Sequence, residues 1–106
     1  MSYRIEFTRL AEKDLRRLSR SDGKVALCAI RALQDDPQKG HLLKGTLKGA
    51  RSLEFSLPGG AYRAAYYVIT EDERCLVFMV GPHERFYEVA ERRAAALLKL
   101  GLVKRP

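Results

Sequence analysis

The segment that most constrains the fold runs from Arg51 to Arg93, because it reads as three consecutive strands followed by a helix. Apolar residues at 53, 55 and 57 alternate with polar ones, the period-two pattern of a half-buried strand. Pro58-Gly59-Gly60 favours a turn, and Ala61 to Thr70 continues with residues that suit a pleated surface. Residues 75–80, CLVFMV, form the continuous apolar run typical of a strand covered on both faces. The short breaks between these strands predict an antiparallel meander.

The residues before the meander predict one more strand and a helical hairpin. Tyr3 to Thr8 alternates apolar and polar residues, and Thr8 is placed to cap a first helix. A second helix follows the polar break at 19–23, with Ser21 or Asp22 as its N-cap, and ends before Pro37.

A last helix is predicted from Glu84 to Leu100, with Gly101 as its stop. The chain is therefore expected to be a single domain, residues 1–106, of the α+β class in the order β-α-α-β-β-β-α. We expect a small twisted sheet, mostly antiparallel, with the helical hairpin on one face. The first strand could pair in parallel, because the hairpin allows a crossover connection.

Composition bears on partners and compartment. The net charge of +7 favours a polyanionic partner, although a solvated basic surface is the plain alternative. Cys28 and Cys75 sit in apolar sequence without a short-spaced partner, which indicates buried thiols in a reducing compartment and no zinc site. The N-terminus is too polar for a signal peptide and no apolar run approaches the length of a membrane span, so we expect a cytoplasmic protein. Nothing in the composition indicates a bound metal or organic cofactor, so we expect none.

The second half of the chain resembles a known family. Tyr62-Arg63 is followed by Tyr66, an acidic turn, the apolar strand ending in Val80-Gly81, and a segment that carries His83 and ends at Tyr87. This arrangement is similar to the RelE/ParE superfamily, the toxins of bacterial toxin–antitoxin pairs, and the similarity extends over nearly the whole chain. It implies a cognate antitoxin as partner.

Arg63 is the first candidate catalytic residue. A guanidinium within an apolar strand is costly unless it is paired or faces a cleft. In RelE-like ribonucleases an arginine at the matching position stabilises the phosphorane formed when a ribose 2′-hydroxyl attacks the adjacent phosphate. The alternative is a rim arginine paired with Glu54 or Glu84.

His83 and Tyr87 are the next candidates, and Glu54 the third. The resemblance loosely matches His83 and Tyr87 to a proton-transferring residue and a tyrosine near the last helix. His83 could instead be only a helix N-terminal residue, and Tyr87 a core contact. Glu54 departs from the best-known branch, which carries lysines on this strand; it could act as base or orient His83, or be an exposed strand residue.

Three basic residues are candidates for binding RNA phosphates. Lys44 and Lys48 lie in a glycine- and lysine-rich loop, residues 38–50, in which Leu43 is expected to dock on the core. Arg85 could clamp a second phosphate if its side chain turns toward the sheet. The two lysines could equally be solvated loop residues.

Three functions fit these residues. The favoured one is a metal-independent endoribonuclease that cleaves messenger RNA, in the ribosomal A site by family analogy, leaving a 2′,3′-cyclic phosphate. The second is a ParE-like inhibitor of DNA gyrase without chemistry, and the third an inactive toxin-like binding module. The apolar stripe of the last helix, which extends to Leu97, Leu98 and Leu100, could dock the antitoxin or close a homodimer.

Overall fold

A computed structural model describes residues 2–82 and 84–104 of the chain. The helices and strands are β1 (Arg4–Phe7), α1 (Arg9–Arg16), α2 (Arg20–Arg31), β2 (His41–Leu42), β3 (Ala50–Leu57), β4 (Gly60–Ile69), β5 (Arg74–Pro82) and α3 (Phe86–Lys99). Short 3₁₀ turns cover Ala32–Gln34, Gly45–Leu47 and Thr70–Asp72. Within these described ranges, no helix has the length and apolar character needed to cross a membrane.

The strands form one sheet in the order β1-β5-β4-β3-β2. The meander of β3, β4 and β5 is antiparallel, as the sequence predicts, and β1 pairs with β5 in parallel, which is the arrangement that the hairpin connection allows. The α+β class is confirmed. The expectation of four strands is wrong, because His41–Leu42 adds a fifth strand against β3. Two residues in a glycine- and lysine-rich loop are too few to show a periodic pattern, so this strand is recognised only by its pairing with the edge of β3.

The two faces of the sheet are covered by different helices. The α1–α2 hairpin packs over a cluster that includes Ile30, Leu33, Tyr66 and Val77. The opposite face packs against α3 through a second cluster, in which Leu43 fixes the basic loop as predicted. Residues 75–80 of β5 are buried throughout, which confirms that this apolar strand is covered on both faces.

A bulge in β5 changes which face its residues meet. Ala65 lies opposite Met79 whereas Tyr66 lies opposite Val77, so Phe78 is an extra residue on β5. As a result both Phe78 and Met79 join the core under α3.

Past the end of β1, which reaches only to Val77, two side chains bind the backbone of β5. Asp14 of α1 accepts a hydrogen bond from the Val80 amide at 2.9 Å. Arg93 of α3 donates to the Phe78 carbonyl at 3.1 Å and to both Asp14 carboxylate oxygens, at 2.6 and 3.1 Å. One buried ion pair thus ties α1, β5 and α3 together.

The helix boundaries confirm some predictions and correct others. Thr8 caps α1 by accepting from the Ala11 amide, as predicted. The cap of α2 is Ser19 and not Ser21 or Asp22, because the helix begins earlier and the Asp22 amide donates to Ser19. α3 begins at Phe86 and not Glu84, because Arg85 adopts a left-handed conformation with φ 54°.

Two burial predictions are also corrected. Cys75 is buried, but Cys28 is exposed, because the inner face of α2 is centred on Ala26 and Ile30. At the end of the last helix Leu97 is packed into the core and Leu98 is partly buried against it, so of the three residues predicted to extend the apolar stripe only Leu100, with 72% exposure, stays largely exposed.

Candidate functional site

Three of the predicted site residues meet at one end of the sheet. Glu54 of β3 and Arg63 of β4 are directly opposite each other, and their side chains share the face covered by α3. Nη2 of Arg63 lies 3.6 Å from a carboxylate oxygen of Glu54, and Nη1 donates a hydrogen bond to the hydroxyl of Tyr87 in α3. The guanidinium carbon is 5.4 Å from the centroid of the Tyr87 ring.

Local sequence explains how Tyr87 reaches this point. The left-handed turn at Arg85 sets the start of α3, and Phe86 next to it is completely buried in the core. The two rings meet edge to face, with centroids 5.6 Å apart. Phe86 therefore anchors the first turn of α3, and Tyr87, with 38% exposure, lies above Arg63. The sequence offers no chemical signal for Phe86, which is why it was not among the predicted site residues.

The Arg63 side chain is largely withdrawn from solvent, with 13% exposure, whereas 51% of the Glu54 side chain is exposed. The Nε–H of Arg63 is buried and has no hydrogen-bond partner among the described residues. A partly buried guanidinium with an unused donor is incompletely satisfied, and it can gain from an incoming anionic acceptor. The neighbour of Arg63 on β5 is Gly81, which adds no side chain to shield it.

The structure does not bring the other candidates to this point. Lys44 and Lys48 are exposed and lie beside Leu42 in a shallow groove. This groove precedes β3, whereas Glu54 is four residues into that strand, or about 13 Å along it. Arg85 is solvent-exposed and pairs with Glu88 at 3.6 Å, so it does not turn toward the sheet. His83 lies outside the described residues.

Both interpretations of Arg63 are therefore compatible with its contacts. It pairs with Glu54, as the rim alternative expects, and it also forms the centre of a cluster with Tyr87. Tyr87 is not the core contact that its alternative expects, because its side chain is partly exposed. Within residues 2–82 and 84–104, no group of three or more His, Cys, Asp and Glu side chains is arranged to hold a metal ion.

Comparisons with known proteins identify the family. Residues 5–91 match the model of the ParE-like toxins of type II bacterial toxin–antitoxin systems. No curated protein matches the sequence.

Solved toxin structures share the fold. A chain of the RelBE2 toxin–antitoxin complex from Mycobacterium tuberculosis is 25% identical, with a TM-score of 0.68, over 76% of this chain and 98% of that one. An arginine double mutant of the Escherichia coli toxin RelE in the free state is 24% identical, with a TM-score of 0.67, over 86% and 94%. The YoeB/ParE toxin from Agrobacterium tumefaciens is 21% identical, with a TM-score of 0.61, over 76% and 98%.

Proposed function

The chain belongs to the ParE-like toxins of type II bacterial toxin–antitoxin systems, and we propose that it acts as a metal-independent endoribonuclease that cleaves messenger RNA. The observation that carries this proposal is the cluster of Arg63, Glu54 and Tyr87. It combines a cation for phosphate with a carboxylate and a phenol, within contact distance of one another. The solved toxin–antitoxin complexes support a cognate antitoxin as a further partner.

The proposed reaction is an intramolecular transesterification. The ribose 2′-oxygen bonds to the adjacent phosphorus as its proton passes to a base, either Glu54 or His83. Arg63 stabilises the extra negative charge on the non-bridging oxygens. The bond from phosphorus to the 5′-oxygen then breaks, and His83 or Tyr87 protonates the departing oxygen. The products are a 2′,3′-cyclic phosphate and a 5′-hydroxyl.

The arrangement without RNA suggests how substrate would enter. The Glu54 side chain is half exposed and can move aside, whereas Arg63 is held by its strand and by Tyr87. A phosphate bound to Arg63 would take over the electrostatic role of Glu54 and bring acceptors for the unused donor. Binding would thus free the carboxylate to receive a proton. Positioning by the ribosome would compensate for acid and base groups that are weak on their own.

The test is cleavage of a ribosome-bound messenger, mapped by primer extension, with wild type, Arg63→Ala and Arg92→Ala. Arg92 is an exposed arginine of α3, so its loss is the control for removing one positive charge. Loss of one charge-stabilising donor should lower the cleavage rate on the order of a hundredfold or more. Arg92→Ala should cleave like the wild type, and far-UV circular dichroism should show both variants folded.

Each alternative has its own outcome. Wild-type cuts that end in cyclic phosphates and vanish in Arg63→Ala would support both the reaction and the site. Cuts that persist in Arg63→Ala would keep the reaction but remove the site. If no messenger is cut, the ribonuclease proposal fails, and inhibition of DNA supercoiling by gyrase becomes the assay for the ParE-like alternative. Inactivity in both assays would indicate a binding module.

A further inference from the structure

The α1–α2 hairpin carries a concentration of cations that the candidate site does not use. Residues 9–31 contain seven basic and three acidic residues, and every one of the basic side chains is exposed. One of the acidic residues, Asp14, is buried and already paired with Arg93 of α3. The hairpin therefore presents a strong excess of positive charge to solvent.

Most arginines of the described chain divide by location. Those in the sheet, at the start of α3 and on the inner side of α3 are bound to carboxylates, carbonyls or Tyr87; they are Arg4, Arg51, Arg63, Arg74, Arg85 and Arg93. Within residues 2–82 and 84–104, the hairpin arginines make no side-chain hydrogen bond or ion pair; they are Arg9, Arg16, Arg17, Arg20 and Arg31. Apart from Arg92, an exposed arginine of α3, the arginines without a side-chain partner in the described ranges are thus gathered on one supersecondary unit.

Helical spacing places most of these cations in two outward rows. In α1, basic residues recur at i, i+4 and i+7, within about 60° of one another and opposite the buried Ala11. In α2 they recur at i, i+4 and i+11, within about 40°, away from the buried Ala26 and Ile30. We call these six residues the hairpin basic face: Arg9, Lys13, Arg16, Arg20, Lys24 and Arg31.

The hairpin basic face is separate from the candidate site. The hairpin packs on the face of the sheet that carries Tyr66 and Val77, whereas Arg63 shares the opposite face with α3. A ligand of the hairpin would therefore not compete for Arg63, and the two surfaces could be occupied together.

We propose that the hairpin basic face binds the sugar–phosphate backbone of a double-helical nucleic acid without reading its sequence. Arginine matches phosphate geometry with paired donors, and rows of arginine and lysine are the usual electrostatic footprint of backbone binding. Residues 9–31 contain no aromatic residue, so the face cannot stack bases as surfaces for single strands do. The hairpin also lacks the aromatic residues that most often anchor protein–protein interfaces.

The experiment measures the affinity of the full chain for short, blunt-ended RNA and DNA duplexes by fluorescence anisotropy, over roughly 50 to 200 mM salt. The test variants are the triple changes Arg9→Gln/Lys13→Gln/Arg16→Gln and Arg20→Gln/Lys24→Gln/Arg31→Gln. Glutamine keeps helix propensity, so both should fold. The matched control removes three exposed charges outside the hairpin, at Lys39, Arg92 and Lys99.

Each lost phosphate contact should reduce the slope of log K against log salt by about 1, and should weaken binding roughly tenfold near 0.1 M salt. The hairpin variants should show this loss with either duplex, and the control should not. A preference for RNA or for DNA would identify the natural backbone. A variant with Arg9, Arg16 and Arg20 changed to Lys should keep the salt slope, because it keeps the charge.

Two results would overturn the proposal. Equal weakening by hairpin and control variants would mean that only net charge matters. Unchanged duplex binding, with lost binding of poly-glutamate, would assign the face to an acidic protein instead. Neither result depends on messenger cleavage, so the proposed ribonuclease activity and this surface can fail separately.

Discussion

Removal of the Asp14 carboxylate should be among the most damaging single changes in this chain. In the folded protein this carboxylate accepts hydrogen bonds from the Val80 amide and from both terminal nitrogens of Arg93. Asp14→Ala would leave the amide without a partner and the guanidinium with only the Phe78 carbonyl. Both side chains are largely buried, with 7% and 16% exposure, so water can compensate only in part.

The expected cost can be bounded. Breaking a buried ion pair by removing one partner costs about 3–5 kcal/mol, and the partial exposure of Arg93 places Asp14→Ala near the lower end, at about 3 kcal/mol. A domain of this size is stabilised by about 5–15 kcal/mol, so a fifth or more of the free energy of unfolding would be lost. Urea unfolding followed by far-UV circular dichroism measures this loss as a lower midpoint at unchanged slope.

A surface pair and a double variant sharpen the test. Arg4 and Glu6 are 3.7 Å apart, with 67% and 41% of their side chains exposed, so Arg4→Ala should change stability by less than about 1 kcal/mol. Asp14→Leu/Arg93→Met removes both buried charges but leaves the β5 backbone groups unpaired. We expect it to remain destabilised, by about 1–3 kcal/mol for each unpaired group. Wild-type stability in the double variant, or equal costs for Asp14→Ala and Arg4→Ala, would refute the assignment.

Two further predictions concern buried polar groups. The Tyr66 hydroxyl accepts from the Gly40 amide at 2.9 Å and donates to the Pro37 carbonyl at 2.7 Å, so Tyr66→Phe should lower the free energy of unfolding by about 1–3 kcal/mol in urea. Tyr62→Phe, whose hydroxyl has no hydrogen bond to the described residues, is its control, and equal costs would contradict the reasoning. Burial raises the pKa of the Cys75 thiol from 9.0 to about 11, so the unfolded chain releases this proton first and stability should fall between about pH 9 and 11. Urea midpoints across that range should decline less in Cys75→Ala, and an identical decline would count against this cause.

Hydrophobic periodicity correctly predicted the strands whose residue pattern follows from burial alone. The alternation in β3 and the apolar run of β5 depend only on which faces are covered, and both predictions were confirmed. The parallel pairing of β1 was allowed by the length of the hairpin. β2 was missed because a two-residue edge strand depends on its neighbour and not on its own sequence. Helix starts differ from the predictions by two or three residues where several residues could cap, or where a left-handed turn intervened.

The candidate site was likewise only partly predictable from the sequence. Residue chemistry and the family resemblance together selected Arg63, Glu54, His83 and Tyr87: Arg63 stands out as a cation in an apolar strand, and the resemblance suggests roles for the others. Chemistry could not separate them from Arg85, which faces solvent, or from the loop lysines, which precede the strand. Those distinctions depend on strand register and on the start of α3.

By itself, the sequence determined the α+β class and the meander, because hydrophobic periodicity and turn residues act locally. The family was indicated by its resemblance to known toxins in the segment from Tyr62 to Tyr87. Only the tertiary structure decided that Asp14 and Arg93 form hydrogen bonds with the backbone of β5, and that Phe86 holds Tyr87 above Arg63. Asp14 and Arg93 are 79 residues apart in the chain, and Arg63 and Tyr87 are 24 apart. Contacts over such separations are set by the packing of both helical layers on one sheet, which no local pattern encodes.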